Sequence, residues 1–232
     1  MEIIYQDNDL LVIDKPAGLV VFPEGETKDN TLIDILLKEF PYLEEVGQSP
    51  RYGIIHRLDK DTSGILLIAK NNKALEFFQE QFQKGEVSKK YLALVTGKPK
   101  SQEGEIETLL GRSEADRRKQ KAYLALSPES KKQGLRKAKT RYRIVKEFER
   151  YALLEIEPLT GRKHQIRAHL AYLGIPIVKD VLYGFKGQEQ PKDLKRQFLH
   201  SSYLRIKMPD GEMKEFNSDL PKELKEILNN LK

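Results

Sequence analysis

The chain of 232 residues contains no cysteine, which excludes disulfide bonds, cysteine-ligated zinc and thiol nucleophiles. It also lacks any apolar run long enough to span a bilayer. The first residues, Met1 to Asp7, show neither the basic leader nor the apolar core of a signal peptide. These absences predict a cytoplasmic protein with no membrane partner.

Apolar residues make up 39% of the sequence and charged residues 33%, which is enough apolar side chain for a core beneath a charged surface. No linker-like stretch divides the chain. The length and composition therefore predict one domain that covers residues 1–232.

Positive charge is concentrated in one part of the chain. Thirteen Lys or Arg and three acidic residues lie between Gly111 and Lys146, a local net charge of +10. The rest of the chain has 41 − 13 = 28 basic and 35 − 3 = 32 acidic residues, a net charge of −4. This basic segment, residues 111–146, is either a solvated loop or a surface that follows a phosphate backbone.

Short apolar runs alternate with helical spacings in the first hundred residues. The runs predict strands at residues 10–13, 19–22, 65–69 and 91–95, with turns at residues 15–18 and 23–25. Apolar spacing predicts a helix from residue 32 to Pro41, capped by Asn30 or Thr31. A second helix is expected to have Asn72 as its cap and Gly85 as its terminator.

The remaining residues continue the mixture of strands and helices. Strand-like alternations at residues 106–121 and 139–157 flank a surface loop or hairpin expected at residues 127–134. A short helix is predicted before Gly174, and Pro221 opens a terminal helix. Because no regular β-α-β repeat is present, we predict an α+β fold with a largely antiparallel mixed sheet flanked by helices.

Residues 54–64 and residues 159–170 place ionisable side chains next to the expected core. Burial of an unpaired carboxylate or guanidinium is costly, so these charges are expected to be paired. Asp59 and Arg167 are natural partners.

The run His56 to Leu67, HRLDKDTSGILL, resembles the signature of the RluA-type pseudouridine synthases. Other segments resemble that family in the same order, at residues 9–18, 89–95, 160–167, 174–177 and 198–201. The likeness covers nearly the whole chain. It implies the catalytic domain of such an enzyme, without the small N-terminal RNA-binding domain of many relatives.

The resemblance implies three catalytic residues. Asp59 would be the essential carboxylate, which either attacks the ribose C1′ or removes the 2′ proton. Tyr91 would stack on the uracil and assist loss of the C5 proton. Arg167 would pair with Asp59 and keep it ionised and oriented, as an opposite charge at close range does.

The resemblance also implies five residues that bind RNA. Arg57 is expected to enter the RNA near the site and to help hold the target base out of the stack. His56 and His164 would hydrogen-bond to backbone or RNA, and Lys90 and Arg162 would contact phosphates.

The implied function is isomerisation of specific uridines in ribosomal or transfer RNA. The C1′–N1 bond breaks, the base turns and a C1′–C5 bond forms, so neither a metal nor a nucleotide cofactor is needed. Bond cleavage builds positive charge at C1′, which an ionised aspartate can stabilise or bond, as in retaining glycosidases. A stacked nucleotide must first be flipped out. Structured RNA is the expected partner of a monomeric enzyme.

Other interpretations of the same residues remain open. An Asp before Thr-Ser-Gly often forms a turn, and a Tyr on an apolar strand is often part of the core. The chain could also be a noncatalytic RNA-binding protein that keeps the scaffold. A third function is a metal-dependent phosphodiesterase that uses Asp59, Asp61 and His56.

The chain departs from the family pattern at Lys179, in Val178-Lys179-Asp180, where the family usually has glycine. The departure affects the expected turn and not the chemistry.

Overall fold

A computed structural model describes residues 1–23 and 30–232. The strands of this part of the chain are β1 Glu2–Gln6, β2 Leu10–Lys15, β3 Ser63–Ala69, β4 Ser88–Thr96, β5 Glu103–Arg112, β6 Gln120–Tyr123, β7 Arg136–Glu147, β8 Tyr151–Pro158, β9 Leu199–Lys207 and β10 Met213–Asn217. Its α-helices are α1 Leu32–Glu39, α2 Asn72–Lys84, α3 Gln165–Tyr172 and α4 Lys222–Asn229. Within these residues no helix is long and apolar enough to cross a membrane.

The chain divides into two compact units. Unit 1 comprises Met1–Ser88 and Ser201–Asp219, and unit 2 comprises Lys89–His200 and Leu220–Lys232. Each unit is built from two separated segments, so neither is a continuous piece of chain. The single domain stays a prediction.

Unit 1 is organised around β3, all seven residues of which are buried. β3 pairs with β2 in an antiparallel register, β2 pairs with β1, and β10 pairs with β9. Helix α2 contacts β3 and buries Leu75 and Phe78 on one side. A continuous apolar run at residues 65–69 is typical of a strand covered on both faces, and the prediction of this strand is confirmed.

Unit 2 contains the strand order β4-β8-β7-β5-β6, in which every pair is antiparallel. The predicted surface loop at residues 127–134 joins β6 to β7, contains a short 3-10 helix, Pro128–Lys131, and is largely exposed. The predicted α+β class with a largely antiparallel sheet is confirmed.

Two local predictions are wrong. Residues 19–22 form no strand, because the carbonyls of Val20 and Val21 accept hydrogen bonds from the Leu32 and Ile33 amides, the first of helix α1. Val21 and Phe22 are buried nonetheless, so their apolar character reflects burial and not strand pairing. Of the turn predicted at residues 23–25, Glu24 and Gly25 lie outside the described residues.

The cap of helix α2 is Asn71 and not Asn72. The Asn71 side chain accepts a hydrogen bond from the Ala74 amide at 2.8 Å, which is the usual capping geometry. The Asn72 side chain instead accepts from the Gly47 amide and donates to the Glu45 carbonyl. Two adjacent asparagines carry the same capping signal, so the pattern alone cannot choose between them. The predicted terminator, Gly85, has a left-handed conformation with φ 74°.

The turn at Lys179 has the backbone that glycine adopts without strain. Lys179 has φ 60°, in the left-handed region that side chains with a Cβ disfavour. Its amide donates to Gln190 Oε1 at 2.6 Å, which holds the strained turn in place. The family's usual glycine at this position therefore has a conformational reason.

We expect Lys179→Gly to raise the free energy of unfolding by about 0.5–1 kcal/mol, because strain at φ 60° is relieved. Urea unfolding measures the change. The control is Lys186→Gly, an exposed residue whose φ is not in the left-handed region, which should be neutral or destabilising. Equal destabilisation of both variants would contradict the strain at position 179.

Candidate active site

The segment with Asp59 connects a short bridge to strand β3 in unit 1. Ile54 pairs with Ile68, and the Thr62 amide donates to the Asp59 carbonyl at 3.1 Å, so Asp59 opens a turn just before β3. Gly64 then approaches β9 closely, since a Cβ at this position would lie 2.2 Å from the Ser201 carbonyl oxygen. The Asp59 turn is thus fixed at its exit by a glycine that no larger residue can replace.

Lys15 stabilises the same turn from inside unit 1. Its side chain is 0% exposed, although lysine is almost never fully buried. The ammonium donates to the carbonyls of Pro16, Leu19 and Lys60 at 2.8, 2.9 and 3.1 Å. The Lys60 carbonyl also accepts from the Gly18 amide at 2.9 Å. The carbonyl of Lys60, the residue after Asp59, is therefore held by two donors, one of them charged.

His56 is bonded to the backbone of β3. Its Nε2 accepts a hydrogen bond from the Leu67 amide at 3.2 Å, which leaves the ring proton on Nδ1 when the histidine is neutral. The ring stacks on Phe82 with centroids 4.8 Å apart. Of the two expected partners, backbone or RNA, the structure shows the backbone.

Arg57 lies against an aromatic ring, and the charge of Asp59 affects its pKa. Its guanidinium carbon is 5.3 Å from the centre of the Phe22 ring, and Arg51 lies over the same ring at 5.0 Å. Burial lowers the pKa of Arg57, and the nearby charge of Asp59 acts in the opposite direction. An arginine stays protonated despite such a shift, so this part of unit 1 combines a carboxylate, a guanidinium and an aromatic ring.

In unit 2, Tyr91 is a buried residue of strand β4. It pairs with Ile156 of β8, which in turn pairs with Tyr142 of β7. Directly paired residues share a sheet face, and Thr140, two residues before Tyr142, lies on this face as well. Helix α3 bonds to Thr140, so Tyr91 and α3 lie on the same face of the sheet.

Buried polar groups attach α3 to the sheet. The Gln165 amide accepts from the Thr160 hydroxyl and the Arg162 amide, and donates to the Lys139 carbonyl and the Thr140 hydroxyl. His169 is fully buried, with its ring nitrogens 2.8 and 3.0 Å from the hydroxyls of Thr140 and Thr108. Burial lowers the pKa of His169 to about 4, so it is neutral at ordinary pH and serves to hold the helix.

Arg167 makes a bidentate ion pair within unit 2. Its Nε and one terminal nitrogen donate to the two carboxylate oxygens of Asp180 at 2.7 and 2.9 Å. Both residues are buried. Asp180 Oδ1 also accepts from the Leu182 and Tyr183 amides at 3.0 Å. Asp180 was not predicted as a site residue, although it directly follows Lys179, where the chain departs from the family pattern. The pairing of Arg167 with Asp59 stays a prediction.

Three predicted RNA-binding residues already have protein partners. Lys90 lies 3.3 Å from Glu155 in an ion pair, Arg162 Nε donates to the Lys137 carbonyl at 3.1 Å, and His164 Nδ1 is 3.2 Å from the Tyr183 hydroxyl. His164 has φ 53° and precedes the first residue of α3.

Sequence reasoning did not single out Lys89. This lysine shares a face of β4 with Tyr91, and burial lowers its pKa to about 8.

Nine of the thirteen cations of the basic segment fall into two groups. Lys139 and Arg141 pair with Glu105, and Arg143 pairs with Glu155, so acids from neighbouring strands neutralise them. A second group is exposed and forms no ion pair within residues 1–23 and 30–232: Arg112, Arg117, Lys121, Lys131, Arg136 and Lys137. The positive surface is therefore smaller than the sequence count predicts.

The metal-dependent alternative would need a metal site at Asp59, Asp61 and His56. Throughout the described part of the chain, no three His, Cys, Asp or Glu side chains are grouped so that they could hold a metal ion.

Residues 9–172 match the family model described as RNA pseudouridylate synthase. The chain belongs to this family. The match includes Asp59, Tyr91 and Arg167, and the resemblance to pseudouridine synthases is confirmed.

Individual synthases of the family are similar over most of this chain. An uncharacterized RNA pseudouridine synthase of Chloroflexus aurantiacus is 41% identical over 218 residues, which cover 94% of this chain but 65% of that protein, so the chain spans less than two thirds of this relative. The ribosomal large subunit pseudouridine synthase D of Borreliella burgdorferi is 38% identical over 231 residues, 98% of this chain and 68% of that protein.

A solved structure of human RNA pseudouridylate synthase domain containing 4 aligns with a TM-score of 0.78 and 25% identity. The alignment covers all of this chain and 94% of the human one. The pseudouridine synthase fold is therefore confirmed, whereas the roles of individual residues stay predictions.

Lys15→Met should lower the free energy of unfolding by about 2–5 kcal/mol, because buried carbonyls lose their donor. Urea unfolding of the protein measures the loss. Lys73→Met, at an exposed position of α2, is the matched control and should stay within about 0.5 kcal/mol of the unmodified protein. Equal stability of the two variants would argue against a stabilising role for the hydrogen bonds of Lys15.

Proposed function

We propose that this chain is an RNA pseudouridine synthase that isomerises specific uridines. The reaction breaks the C1′–N1 bond, turns the uracil and forms a C1′–C5 bond. The observation that carries the proposal is the family match over residues 9–172, which includes the HRLDKDTSG segment around Asp59. Ribosomal RNA is the favoured substrate because relatives are named for the ribosomal large subunit, and transfer RNA is the alternative.

Asp59 is the proposed catalytic carboxylate. It attacks C1′ or removes the 2′ proton, and either route needs an ionised carboxylate at the sugar. The fixed turn that begins at Asp59 supports this role, since a catalytic group must be held in place before the substrate arrives. The isomerisation is redox-neutral and consumes no water, so we propose that no cofactor takes part.

Tyr91 and Arg167 are the other proposed catalytic residues. Tyr91 stacks on the uracil and assists loss of the C5 proton, and Arg167 pairs with Asp59. Asp180 is a proposed positioning residue for Arg167, because its carboxylate takes two of the guanidinium donors and fixes the plane of the group. A guanidinium has five N–H donors, so this pair leaves others for a second carboxylate.

We propose that RNA is recognised by flipping of the target base out of the stack and by contacts between cationic side chains and phosphates. Arg57, which rests on Phe22, helps to hold the target base out of the stack. Lys90, Arg162 and the exposed cations of the basic segment contact phosphates, while His56 and His164 hydrogen-bond to backbone or RNA. We further propose a monomeric enzyme that acts in the cytoplasm on structured RNA.

Asp59→Asn should lower the rate of pseudouridine formation roughly a thousandfold or more, because the amide cannot act as base or nucleophile. RNA affinity should change less than about threefold, since the cations remain. Carbodiimide mapping of unmodified total RNA treated with the protein measures activity and identifies the target uridine. Filter binding measures affinity.

Asp61→Asn is the matched control, because it makes the same chemical change two residues away. It should leave activity within about tenfold of the unmodified protein. Strand cleavage that is lost in both variants and in chelator would instead favour the metal-dependent phosphodiesterase. A biological effect that survives Asp59→Asn would favour a noncatalytic RNA-binding protein.

Arg136→Gln should weaken RNA binding and reduce the slope of log affinity against log salt by about one, as loss of one phosphate contact does. Arg141→Gln is the control on the same strand. Its arginine already pairs with Glu105, so we expect a smaller change in slope. Binding titrations at several salt concentrations test the difference. Equal slopes for the two variants would mean that the exposed cations are merely solvated.

A further inference from the structure

Tyr183 touches three different parts of unit 2. Its hydroxyl accepts a hydrogen bond from the Gln120 amide at 2.7 Å and lies 3.2 Å from His164 Nδ1. Its ring lies 5.1 Å from the guanidinium carbon of Arg167 and packs edge-on against the His164 ring. The same ring packs against the apolar cluster of Leu110, Ala138 and Ala168. A role limited to filling the core would need the ring but not the hydroxyl contacts.

We propose that Tyr183 is a positioning residue, which couples engagement of RNA by the basic segment to the orientation of Arg167. The inference rests on the proposed function, because Arg167 is one of the catalytic residues proposed there.

The first part of this coupling is strand β6, which belongs to the basic segment. Gln120 is the first residue of β6, and the exposed Lys121 follows it, with its ammonium 4.9 Å from the centre of the Tyr123 ring. The backbone of β6 is therefore joined directly to the Tyr183 hydroxyl. An RNA phosphate bound at Lys121 would restrain the strand whose amide bonds to Tyr183.

The second part is the Arg167 site. The Tyr183 amide donates to Asp180 Oδ1 at 3.0 Å, while its ring covers the guanidinium that Asp180 binds. One residue thus fixes both the carboxylate and the face of the cation. A movement of Tyr183 would displace Arg167 and Asp180 together.

The hydroxyl has one proton to donate once it accepts from Gln120. Neutral His164 can accept that proton at Nδ1, and the two hydrogen bonds then hold the ring at both the β6 and the α3 side. Both hydrogen bonds use the hydroxyl oxygen of Tyr183. A variant without this oxygen therefore loses both bonds but keeps the packing of the ring.

Tyr183→Phe removes the hydroxyl and keeps the ring. We expect the single-turnover rate of pseudouridine formation at saturating RNA to fall roughly tenfold or more, because small misplacements of catalytic groups are costly. The dissociation constant for RNA should change less than about threefold. Exchange of the Gln120 amide hydrogen should become faster. The control is Tyr172→Phe in the same helix that carries Arg167, at a position where the side chain is 43% exposed, and it should leave the rate unchanged.

A double-mutant cycle tests the coupling itself. Lys121→Ser should weaken RNA binding in both backgrounds, but it should lower the single-turnover rate only when the Tyr183 hydroxyl is present. Effects on the rate that simply multiply would overturn the coupling. So would a Tyr183→Phe rate equal to that of Tyr172→Phe, because the ring alone would then suffice. If the unmodified chain forms no pseudouridine, the proposed function and this inference fail together. If the unmodified chain is active but either contrary result above is found, only this inference fails.

Discussion

The buried hydrogen bonds between helix α3 and strand β7 are the constraint on which the arrangement of unit 2 depends. Gln165 and His169 lie one helical turn apart, and both bond to Thr140, so this side of the helix faces the sheet. Each of these atoms, if left unsatisfied, would cost about 1–3 kcal/mol. Arg167, two residues from each, must therefore point away from Thr140, toward Asp180 and Tyr183. The helix register decides the direction of the guanidinium.

In unit 1 a buried lysine fixes the segment that carries Asp59. The turn that begins at Asp59 has no helix to hold it, and the buried ammonium of Lys15 bonds to the carbonyls around it instead. A charged donor forms stronger hydrogen bonds than a neutral one, and in an apolar environment it has no water to compete for it. In both units buried polar groups fix the segment that carries the ionisable residue, which is an irregular turn in unit 1 and helix α3 in unit 2.

The sequence was most informative where one local pattern sets one structure. The all-apolar run at residues 65–69 and the Gly85 terminator were predicted correctly, because burial on both faces and a left-handed backbone each leave a local trace. Residues 19–22 were predicted wrongly, since what replaces strand pairing there is a contact with the start of α1, farther along the chain. Lys15 and Asp180 were missed for the same reason. Each bonds to close neighbours along the chain but also to one remote group, Lys60 for Lys15 and Arg167 for Asp180, and a single lysine or aspartate carries no sign of what its side chain will meet.

The same limit applies to the candidate site. Asp59, Tyr91 and Arg167 were singled out by whole motifs, which a single sequence contains in full. The count of basic residues overestimated the positive surface, because Glu105 and Glu155 come from other strands and neutralise part of it. Which cations remain exposed depends on strand register, and register is decided by the sheet as a whole.

The discontinuity of unit 1 has a consequence for synthesis on the ribosome. Strand β3, which is entirely buried in the folded protein, pairs with β9, and β9 is translated more than a hundred residues later. Until then the nascent chain exposes an apolar edge ready to pair with any other strand. Completion of unit 1 must wait for residues 201–219, which include Ser201, the residue that Gly64 approaches at the exit of the Asp59 turn.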